Sequence, residues 1–396
     1  MRALAARATM ARRMAEGDKP YRLYRGGRVK GKVPLQRTTR PAVRPTRAAG
    51  ARRWLPRWPR SWKRWLALSL VGLLVFLVVW GALGYLSFSK GVGKANDRIT
   101  RGTQAQLARE DRSLFSEAAT ILVIGTDGGR ASGRGDARRA DSLLLLRTDP
   151  GKHRLSYLSI PRDLRVEIPD YGTAKINTAN QIGGPARTIA TVRRLTGLPI
   201  DHVVVVDFDD FKELIDALGG IDVNVPKRIL SNKFDCPYKP ARCRTWEGWR
   251  FEKGSQHMDG RRALVYSRIR TNQLDASDTD VSRGGRQQAV ADAAGDKIAG
   301  FGTFLRLPFI GDSLAAPLAT DLTTWELVQL GWVRFRADAD RSLHCRLGGE
   351  PASIGGESVI LGSEDNVAVV SMFLGRSAPV RPPKGTLYGA GCTRRS

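Results

Sequence analysis

Five arginines stand in three short motifs whose chemistry would suit the binding of phosphate groups. A guanidinium group donates parallel hydrogen bonds in a fork that matches phosphate oxygens. The motifs occur at the end of a predicted strand, at the end of a predicted helix and at the start of another helix. The five residues are Arg162, Arg268, Arg270, Arg283 and Arg286. Because the chain is rich in arginine, solvated surface positions are the alternative interpretation.

The spacing within two of these motifs sets a geometric condition. Arg268 and Arg270 would diverge on a regular helix, so a helix end or a loop must hold them if both bind one ligand. Arg283 and Arg286 are three residues apart and are predicted to share a helix face near an N-terminus, which favours anions. The sequence has no nucleophile elbow, P-loop or GxGxxG motif.

Two aspartates could add a metal ion to such a site. Asp127 follows the apolar run 121–124, and Asp141 directly precedes the run 142–146. Ligands of open α/β sheets bind at strand ends. Two carboxylates there would suit Mg²⁺, or Mn²⁺, because these ions take oxygen ligands and share them with substrate phosphates. The alternative is that Asp127 caps a turn and Asp141 is a solvated loop residue.

Three further polar residues adjoin the arginine motifs. Asp163 follows Arg162 and would either orient its guanidinium or assist deprotonation of a substrate. Lys175 offers another positive charge for a phosphate, and Gln287 offers an amide next to the arginines of the third motif.

A transmembrane helix is predicted at residues 65–89, a run of 25 residues without a charge. A helix needs about 20 apolar residues to cross a bilayer. Basic residues crowd the N-terminal flank, so the positive-inside rule predicts a cytoplasmic N-terminus and an extracytoplasmic remainder in the cell membrane. A buried core helix or a cleaved signal peptide agrees less well with the length and position of the run.

The strong positive charge belongs mainly to the segment before this helix. Residues 1–64 hold 20 of the 65 Lys and Arg but only 2 of the 38 Asp and Glu, which accounts for +18 of the net charge of +27. Low apolar content and high like charge predict a disordered tail. Because the tail carries no recognisable DNA-reading motif, no specific nucleic acid partner is expected.

The rest of the chain alternates between strand-like and helix-like segments, which predicts a layered α/β sheet. The predicted strands are 120–124, 142–146, 155–160, 202–206 and 221–225. The predicted helices are 185–195, 208–218, 258–266, 280–298, 323–335 and 364–374. The expected organisation is a tail at 1–64, a membrane helix at 65–89, a stalk or first helix at 90–116, a catalytic domain at 117–376 and a loose tail at 377–396, unless Cys392 anchors that tail.

Four cysteines all fall in the predicted external part, where disulfides persist. Three pairings are possible, and we favour Cys236 with Cys243 and Cys345 with Cys392. A zinc site would need closer Cys and His spacing. The first cysteine pair lies within residues 226–258, which interrupt the pattern and are interpreted as an irregular surface excursion.

In its motifs the chain resembles the LytR-CpsA-Psr family of bacterial cell-envelope phosphotransferases. The resemblance runs from about residue 119 to residue 374, behind a single N-terminal span. The matching motifs, in order, are Ile124-Gly125-Thr126-Asp127, Arg139-Ala140-Asp141-Ser142, Ser159-Ile160-Pro161-Arg162-Asp163, Lys175-Ile176-Asn177, Gly219-Gly220-Ile221-Asp222-Val223, Tyr266-Ser267-Arg268-Ile269-Arg270 and Asp280-x-x-Arg283-x-x-Arg286-Gln287-Gln288.

The resemblance implies a three-layer α-β-α domain outside the membrane, with a mixed central sheet. It implies transfer of a glycan phosphate from a polyprenyl-pyrophosphate carrier onto peptidoglycan, with Mg²⁺. By this resemblance Asp127 and Asp141 would hold the metal, and Arg162 and Asp163 would serve catalysis. The expected pyrophosphate ligands are Arg162, Lys175, Arg268, Arg270, Arg283 and Gln287.

Two other functions fit the same sequence. A hydrolase of the polyprenyl pyrophosphate would use the same residues with water as the acceptor. A membrane-bound regulatory protein would instead act through its basic tail, which would bind polyanions with strong salt dependence. The sequence leaves the transferred glycan open between arabinogalactan, a teichoic-type polymer and a capsule.

Overall fold

The computed structural model describes residues 60–108, 113–127, 138–276, 278, 280–383, 386 and 388–394. The predicted cytoplasmic tail lies almost wholly outside these residues, as does most of the segment between Asp127 and Asp141. Within the described part the helices are α1 (Arg60–Asn96), α2 (Arg101–Gln104), α3 (Ile176–Thr196), α4 (Phe208–Ala217), α5 (Pro240–Thr245), α6 (Gly260–Arg268), α7 (Asp280–Ile298), α8 (Phe301–Ala315), α9 (Thr324–Arg336) and α10 (Asp365–Phe373).

The strands follow the apolar runs of the sequence and add several short segments. They are β1 (Thr120–Thr126), β2 (Ala140–Asp149), β3 (Arg154–Ile160), β4 (Leu164–Ile168), β5 (Gly172–Lys175), β6 (His202–Asp207), β7 (Ile221–Val225), β8 (Ile229–Leu230), β9 (Arg250–Phe251), β10 (Gly254–Met258), β11 (Ala319–Thr320), β12 (Leu343–Arg346), β13 (Gly349–Ile354), β14 (Glu357–Gly362) and β15 (Gly391–Arg394). All five predicted strands and all six predicted helices are therefore present.

A mixed sheet forms the centre of the domain, with the strand order β11-β6-β1-β2-β3-β12-β15. Strands β1 and β6 are parallel, as are β3 and β12, while the other neighbours are antiparallel. A smaller sheet has the order β13-β14-β4-β5, and two hairpin-like pairs join β7 to β10 and β8 to β9.

Helices cover both faces of the central sheet. Helices α3 and α10 bury their apolar residues with one face, where Leu143 and Leu145 of β2 point. Leu144 and Tyr157 point to the opposite face and pack with residues of α7 and α9. Alternate strand residues therefore enter two separate cores, which confirms the three-layer α-β-α architecture.

Local signals fix the ends of several helices. Asp207 caps α4 by accepting hydrogen bonds from the backbone of Asp209 and Asp210. Thr323 and Glu326 form a reciprocal capping box at the start of α9. Gly197 ends α3 with a φ of 69°, a left-handed conformation that glycine adopts without a steric cost.

Helix α1 is longer than the predicted membrane helix at 65–89. Among the described residues it is the one helix that is long and apolar enough to cross a membrane. Its last turns, together with residues after it, pack on the domain. Ile99 and Leu107 are buried in the core beside α3, and Leu114 is buried near Leu322. The predicted stalk at 90–116 is therefore largely part of the folded domain, because its few apolar residues are inserted into the core.

The C-terminal segment is anchored to the domain, which was expected only if Cys392 formed a disulfide. Strand β15 adds to the edge of the central sheet, where Cys392 lies opposite Cys345 and forms a disulfide with it. Cys236 and Cys243 form the other disulfide. Both favoured pairings are confirmed.

Candidate active site

A cavity of about 340 Å³ opens at the end of the central sheet where β1 finishes and β2 begins. Its walls come from β1, β2 and β6, from helices α4, α6 and α7, and from the loop that precedes α5. Its interior is apolar, with contributions from Val123, Leu144, Phe211, Leu264 and Val290. Arginines stand among the polar residues that line it. Such a cavity suits a ligand that has an apolar part and an anionic part.

Arg268 and Arg270 both line this cavity, so the condition set by their spacing is met. Helix α6 ends at Arg268, and Ile269 leaves the helical conformation with φ −58° and ψ 127°. Ile269 is fully buried, and both of its neighbours reach the cavity from this non-helical turn. The end of the helix brings together two charges that a continuous helix would separate.

The guanidinium of Arg268 is held by aromatic and acidic neighbours. It lies 4.5 Å from the ring centroid of Phe208 and 5.5 Å from that of Phe234. It also forms an ion pair with Asp235. Cation–π contacts with two rings restrict the side chain, so its charge is positioned toward the cavity in advance.

Helix α7 contributes Arg283 and Gln287, which are one turn apart. Both side chains line the cavity and a small adjoining cleft that also contains Asp141 and Arg346. Gln287 accepts a hydrogen bond of 3.0 Å from the hydroxyl of Ser142. The side-chain amide is thereby oriented, with its NH₂ group left as a donor.

Arg286 does not join Arg283 at the cavity, contrary to the shared face that the spacing predicted. Its guanidinium donates to Asp278 at 2.8 Å and to the carbonyl oxygen of Ile269. Burial raises the pKa of Asp278, but the hydrogen bond and charge of Arg286 outweigh this effect and hold that pKa below its ordinary value. Arg286 therefore supports the chain where α6 ends.

A β-bulge brings Asp141 to the cavity. Gly125 pairs with Ser142, but the next residue, Thr126, pairs with Ala140, so Asp141 has no partner in the ladder. As a result Asp141 and Ser142 both line the cavity although they are adjacent in sequence. Bulges commonly redirect side chains next to active sites.

Arg162 and Asp163 lie beside this bulge. Arg162 forms an ion pair of 2.5 Å with Asp141, and its Nε atom lies 3.4 Å from the carboxylate of Asp163. Lys175 is 3.9 Å from Asp163 and 3.6 Å from Glu357. The chain of alternating charges consists of Asp141, Arg162, Asp163 and Lys175. Asp141 lines the cavity, whereas Arg162, Asp163 and Lys175 do not.

Asp127 lies just beyond the end of β1, at the same end of the β1–β2 hairpin as Asp141. It exchanges hydrogen bonds with Arg139: its carboxylate accepts from the amide of Arg139 at 3.0 Å. In the described part of the chain, no three His, Cys, Asp or Glu side chains form a metal-binding group. Asp141 lines the cavity and Asp127 does not. Mg²⁺ commonly uses one or two carboxylates together with substrate phosphates, so the donor types are compatible with that ion, and the metal site stays a prediction.

Comparison with known proteins identifies the family. The model of the LytR_cpsA_psr family matches residues 83–371, which is most of the chain. The chain belongs to this family.

Two relatives within the LytR_cpsA_psr family illustrate the similarity. A polyisoprenyl-teichoic acid–peptidoglycan teichoic acid transferase, TagV of Bacillus subtilis (strain 168), is 31% identical over 264 residues, covering 65% of this chain and 64% of TagV. The match thus spans slightly less than two thirds of TagV. TagU of Halalkalibacterium halodurans, a transferase of the same description, is 31% identical over 274 residues and is covered to 83%.

Solved structures agree with the fold of this LytR_cpsA_psr member. The crystal structure of TagV from B. subtilis superposes with a TM-score of 0.54 at 26% identity, covering 66% of this chain and 99% of that chain. A structure described as TagT bound to LI-WTA superposes with a TM-score of 0.51 at 24% identity, covering 68% of this chain and 95% of that one. The second similarity bears on the fold alone.

Several cavity residues escaped the sequence analysis. Asn232 and Phe234 come from the segment 226–258, which was interpreted as a surface excursion but lines the cavity on one side. Arg346 lies in the adjoining cleft, where burial lowers its pKa to about 10, so it stays charged at neutral pH. The aromatic and aspartate composition of 234–235 was the one available signal, since an arginine site often includes such partners.

Proposed function

We propose that this protein transfers a phosphate-linked glycopolymer from a polyprenyl-pyrophosphate carrier onto peptidoglycan during cell wall assembly. The observation that carries the proposal is a single cavity with an apolar interior and a rim that includes Arg268, Arg270 and Arg283. A polyprenyl chain requires apolar surroundings, and its pyrophosphate requires cations. The names of the relatives TagV and TagU, which are teichoic acid–peptidoglycan transferases, support the same substrate class.

We further propose that the domain stands outside the cell membrane. The basic residues before α1 favour a cytoplasmic N-terminus by the positive-inside rule. Two disulfides, Cys236–Cys243 and Cys345–Cys392, are compatible with an oxidising exterior. Lipid-linked carriers and peptidoglycan meet on that side of the membrane.

The proposed reaction is a displacement at phosphorus. An acceptor hydroxyl oxygen forms a bond to the phosphorus that carries the glycan, and the bond from that phosphorus to the bridging oxygen breaks. Polyprenyl phosphate leaves with the bridging oxygen and the electron pair, while the hydroxyl proton passes to a base. Such transfers depend on positioning and on neutralising charge.

The positions of the residues suggest a separate role in the reaction for each of them. Arg268, Arg270 and Arg283 bind the pyrophosphate oxygens, and the amide of Gln287 adds a neutral donor. Arg162 reaches the phosphates from beside Asp141, and its conformation is set by Asp163. Because Asp163 lies between Arg162 and Lys175, it is better suited to orienting a cation than to accepting a proton. Lys175 then contributes through Asp163 and not by direct contact.

Asp127 and Asp141 would hold Mg²⁺, or Mn²⁺, at the strand ends. The ion, when bound, would neutralise charge on the pyrophosphate oxygens. With the ion bound, the carboxylate of Asp141 would have two cationic neighbours, because Arg162 already contacts it. We propose that Arg162 shifts toward the substrate when the ion is present.

The test uses the full-length protein in phospholipid nanodiscs with a polyprenyl-pyrophosphate-linked glycan labelled in the glycan. With peptidoglycan fragments and Mg²⁺, label should move to the acceptor and polyprenyl phosphate should be released in equal amount. Chelation with EDTA should stop the reaction, and added Mg²⁺ or Mn²⁺ should restore it. Asp141→Ala and Arg162→Ala should each lower the rate by about 100-fold or more, the usual effect of losing one stabilising group.

The matched control is Arg194→Ala, since Arg194 is an exposed arginine that pairs with Glu167 on the surface. Its rate should equal that of the unmodified protein. Unchanged transfer in Asp141→Ala or Arg162→Ala would overturn the site assignment. Release of polyprenyl phosphate without any labelled acceptor would identify a hydrolase and overturn the proposed transferase function.

A further inference from the structure

Helix α8 exposes an apolar face that the active site does not explain. Phe301 and Phe309 are 73% and 76% exposed, and Phe304 and Leu305 between them are also exposed. Phe301, Leu305 and Phe309 follow each other at intervals of four residues, so they form one stripe along the helix. A stripe of this kind usually marks a contact with a protein or a membrane.

The two charged residues of α8 both have partners within the protein. Arg306 donates hydrogen bonds to the carbonyl oxygens of Ala217 and Leu218, where α4 ends. Asp312 forms an ion pair of 2.7 Å with Lys94 of α1. Arg306 is exposed but bonded to the end of α4, and Asp312 lies beyond the first three turns, so the phenylalanines and Leu305 dominate the exposed surface of those turns.

Helix α8 runs alongside α1 in a fixed register. Leu307 lies against Gly84, and Gly311 lies against Phe88, an offset of 223 positions in both cases. The hydroxyl of Ser87 accepts a hydrogen bond from the amide of Asp312. At Gly311 a Cβ atom would come within 2.7 Å of the backbone nitrogen of Phe88, so glycine is required for this close approach.

The register sets the level of the apolar face relative to the membrane helix. Residues 61–79 of α1 are exposed on every side, and Trp80 is the first that is partly covered. Because Lys63 and Arg64 are charged, the part of α1 that spans the hydrocarbon begins at Trp65. A core of ~30 Å takes about 20 residues from there and ends near Gly84, the residue that Leu307 contacts. The ring of Phe309 lies 5.6 Å from that of Trp80. The offset of 223 positions between the two helices brings Phe301 level with Val78.

We propose that α8 is a second membrane element, whose N-terminal half enters the outer part of the bilayer beside α1 with its phenylalanine face among the lipids. Its first turns stand at the level where α1 changes from fully exposed to partly covered. At this level the exposed apolar side chains of α8 would be buried near the boundary between headgroups and acyl chains. Helix α8 also packs on α4 and α7, which are two walls of the cavity, so its insertion keeps the cavity close to the bilayer surface.

A bilayer is the occupant that this position favours. The apolar face continues the lipid-facing surface of α1 through the contact of Phe309 with Trp80, with no charged residue between them. Helix α9 provides a useful contrast. Its residues Trp325 and Phe335 are 53% and 69% exposed, but the helix begins beside Asn96, at the far end of α1 from the membrane segment.

The experiment places the full-length protein in nanodiscs that contain a phospholipid with a photoreactive diazirine on its acyl chain. After illumination, mass spectrometry measures lipid adducts on each peptide. We expect adducts on residues 301–309 as well as on residues 61–79. The α9 peptide that carries Trp325 and Phe335 is the matched control, because it is aromatic and exposed, and it should remain at background.

The double substitution Phe301→Gln and Phe309→Gln should reduce the α8 adducts to the α9 level and leave those of α1 unchanged. If residues 301–309 of the unmodified protein are labelled no more than the α9 peptide, the proposal is overturned, whether water or a second copy covers the face. Because this comparison uses the unmodified protein, it holds even if the variant fails to fold. It is also independent of transferase activity, since it measures only lipid contact.

Discussion

The guanidinium of Arg286 donates a hydrogen bond to the carbonyl oxygen of Ile269, the residue between Arg268 and Arg270. This bond holds the chain at the position where α6 leaves its helical conformation. Arg286 therefore acts on the cavity from behind, by fixing the backbone that directs two other arginines into it. Its charge is balanced by Asp278, whose side chain is fully buried.

Replacing Arg286 by methionine should destabilise the protein by about 1.5–3 kcal/mol, because the buried carboxylate of Asp278 would lose its charged hydrogen-bond donor and keep Lys227 at 3.7 Å as its cation. Denaturant unfolding of the detergent-solubilised protein would measure the loss. The double variant Arg286→Met with Asp278→Leu should recover much of this stability. If the double variant is no more stable than the single one, the loss of the Arg286–Asp278 hydrogen bond is not the cause.

Arg270→Ala should lower transfer by about 10- to 100-fold, because a hydrogen bond to a charged group contributes about 1.5–3 kcal/mol. The fold should be retained, since Arg270 is exposed at the cavity rim. Steady-state rates with the polyprenyl-pyrophosphate substrate would measure the effect. Arg270→Lys keeps the charge but loses the fork, so it should recover only part of the rate. Full activity in Arg270→Ala would exclude this residue from the site.

Stability should fall with rising pH because of His202. Burial lowers the pKa of His202, but the hydrogen bond and charge of Asp321 outweigh this effect and raise it above the ordinary 6.5. Because the folded pKa is the higher one, the stabilisation is complete below about pH 6.5 and is lost as the pH rises through the folded value. Melting temperatures of the protein and of His202→Gln across pH 5.5–8.5 would test this. The variant should lack that part of the slope, and identical slopes would contradict the assignment.

The two disulfides should contribute unequally to stability. Cys345 and Cys392 are 47 residues apart, whereas Cys236 and Cys243 are 7 apart. Loop-closure entropy predicts a loss of about 4 kcal/mol for the first pair and about 2 kcal/mol for the second when each is replaced by alanines. Thermal unfolding of the two double variants would compare them. Equal losses, or a larger loss for the Cys236–Cys243 pair, would mean that native contacts and not chain entropy dominate the contribution of the disulfides.

Much of the domain could be predicted from local patterns. The apolar runs of β1, β2, β3, β6 and β7 and the periodic helices all appear in the structure, because burial selects these patterns directly. Strands β12 to β15 were not predicted. They are short or exposed, and they pair with distant segments, so they owe their conformation to partners that a local pattern does not reveal.

The candidate site was predicted in part. The motifs identified Arg268, Arg270, Arg283 and Gln287, which line one cavity. The local sequence does not reveal that Asp141 occupies a bulge, because a bulge depends on the pairing of two strands. Asn232 and Phe234 reach the cavity from a segment without periodicity.

The sequence by itself determined which side chains could bind a lipid-linked pyrophosphate, which segment could cross a membrane and where the main buried strands and periodic helices would form. These properties depend on residue type and on spacing within a few turns. Tertiary structure decided that Arg286 serves Ile269 while Arg283 faces the cavity, and that α8 lies beside α1. The physical reason is that an arginine binds whichever acceptor lies nearest in space, and that Gly84 and Gly311 permit a contact between residues more than 200 positions apart.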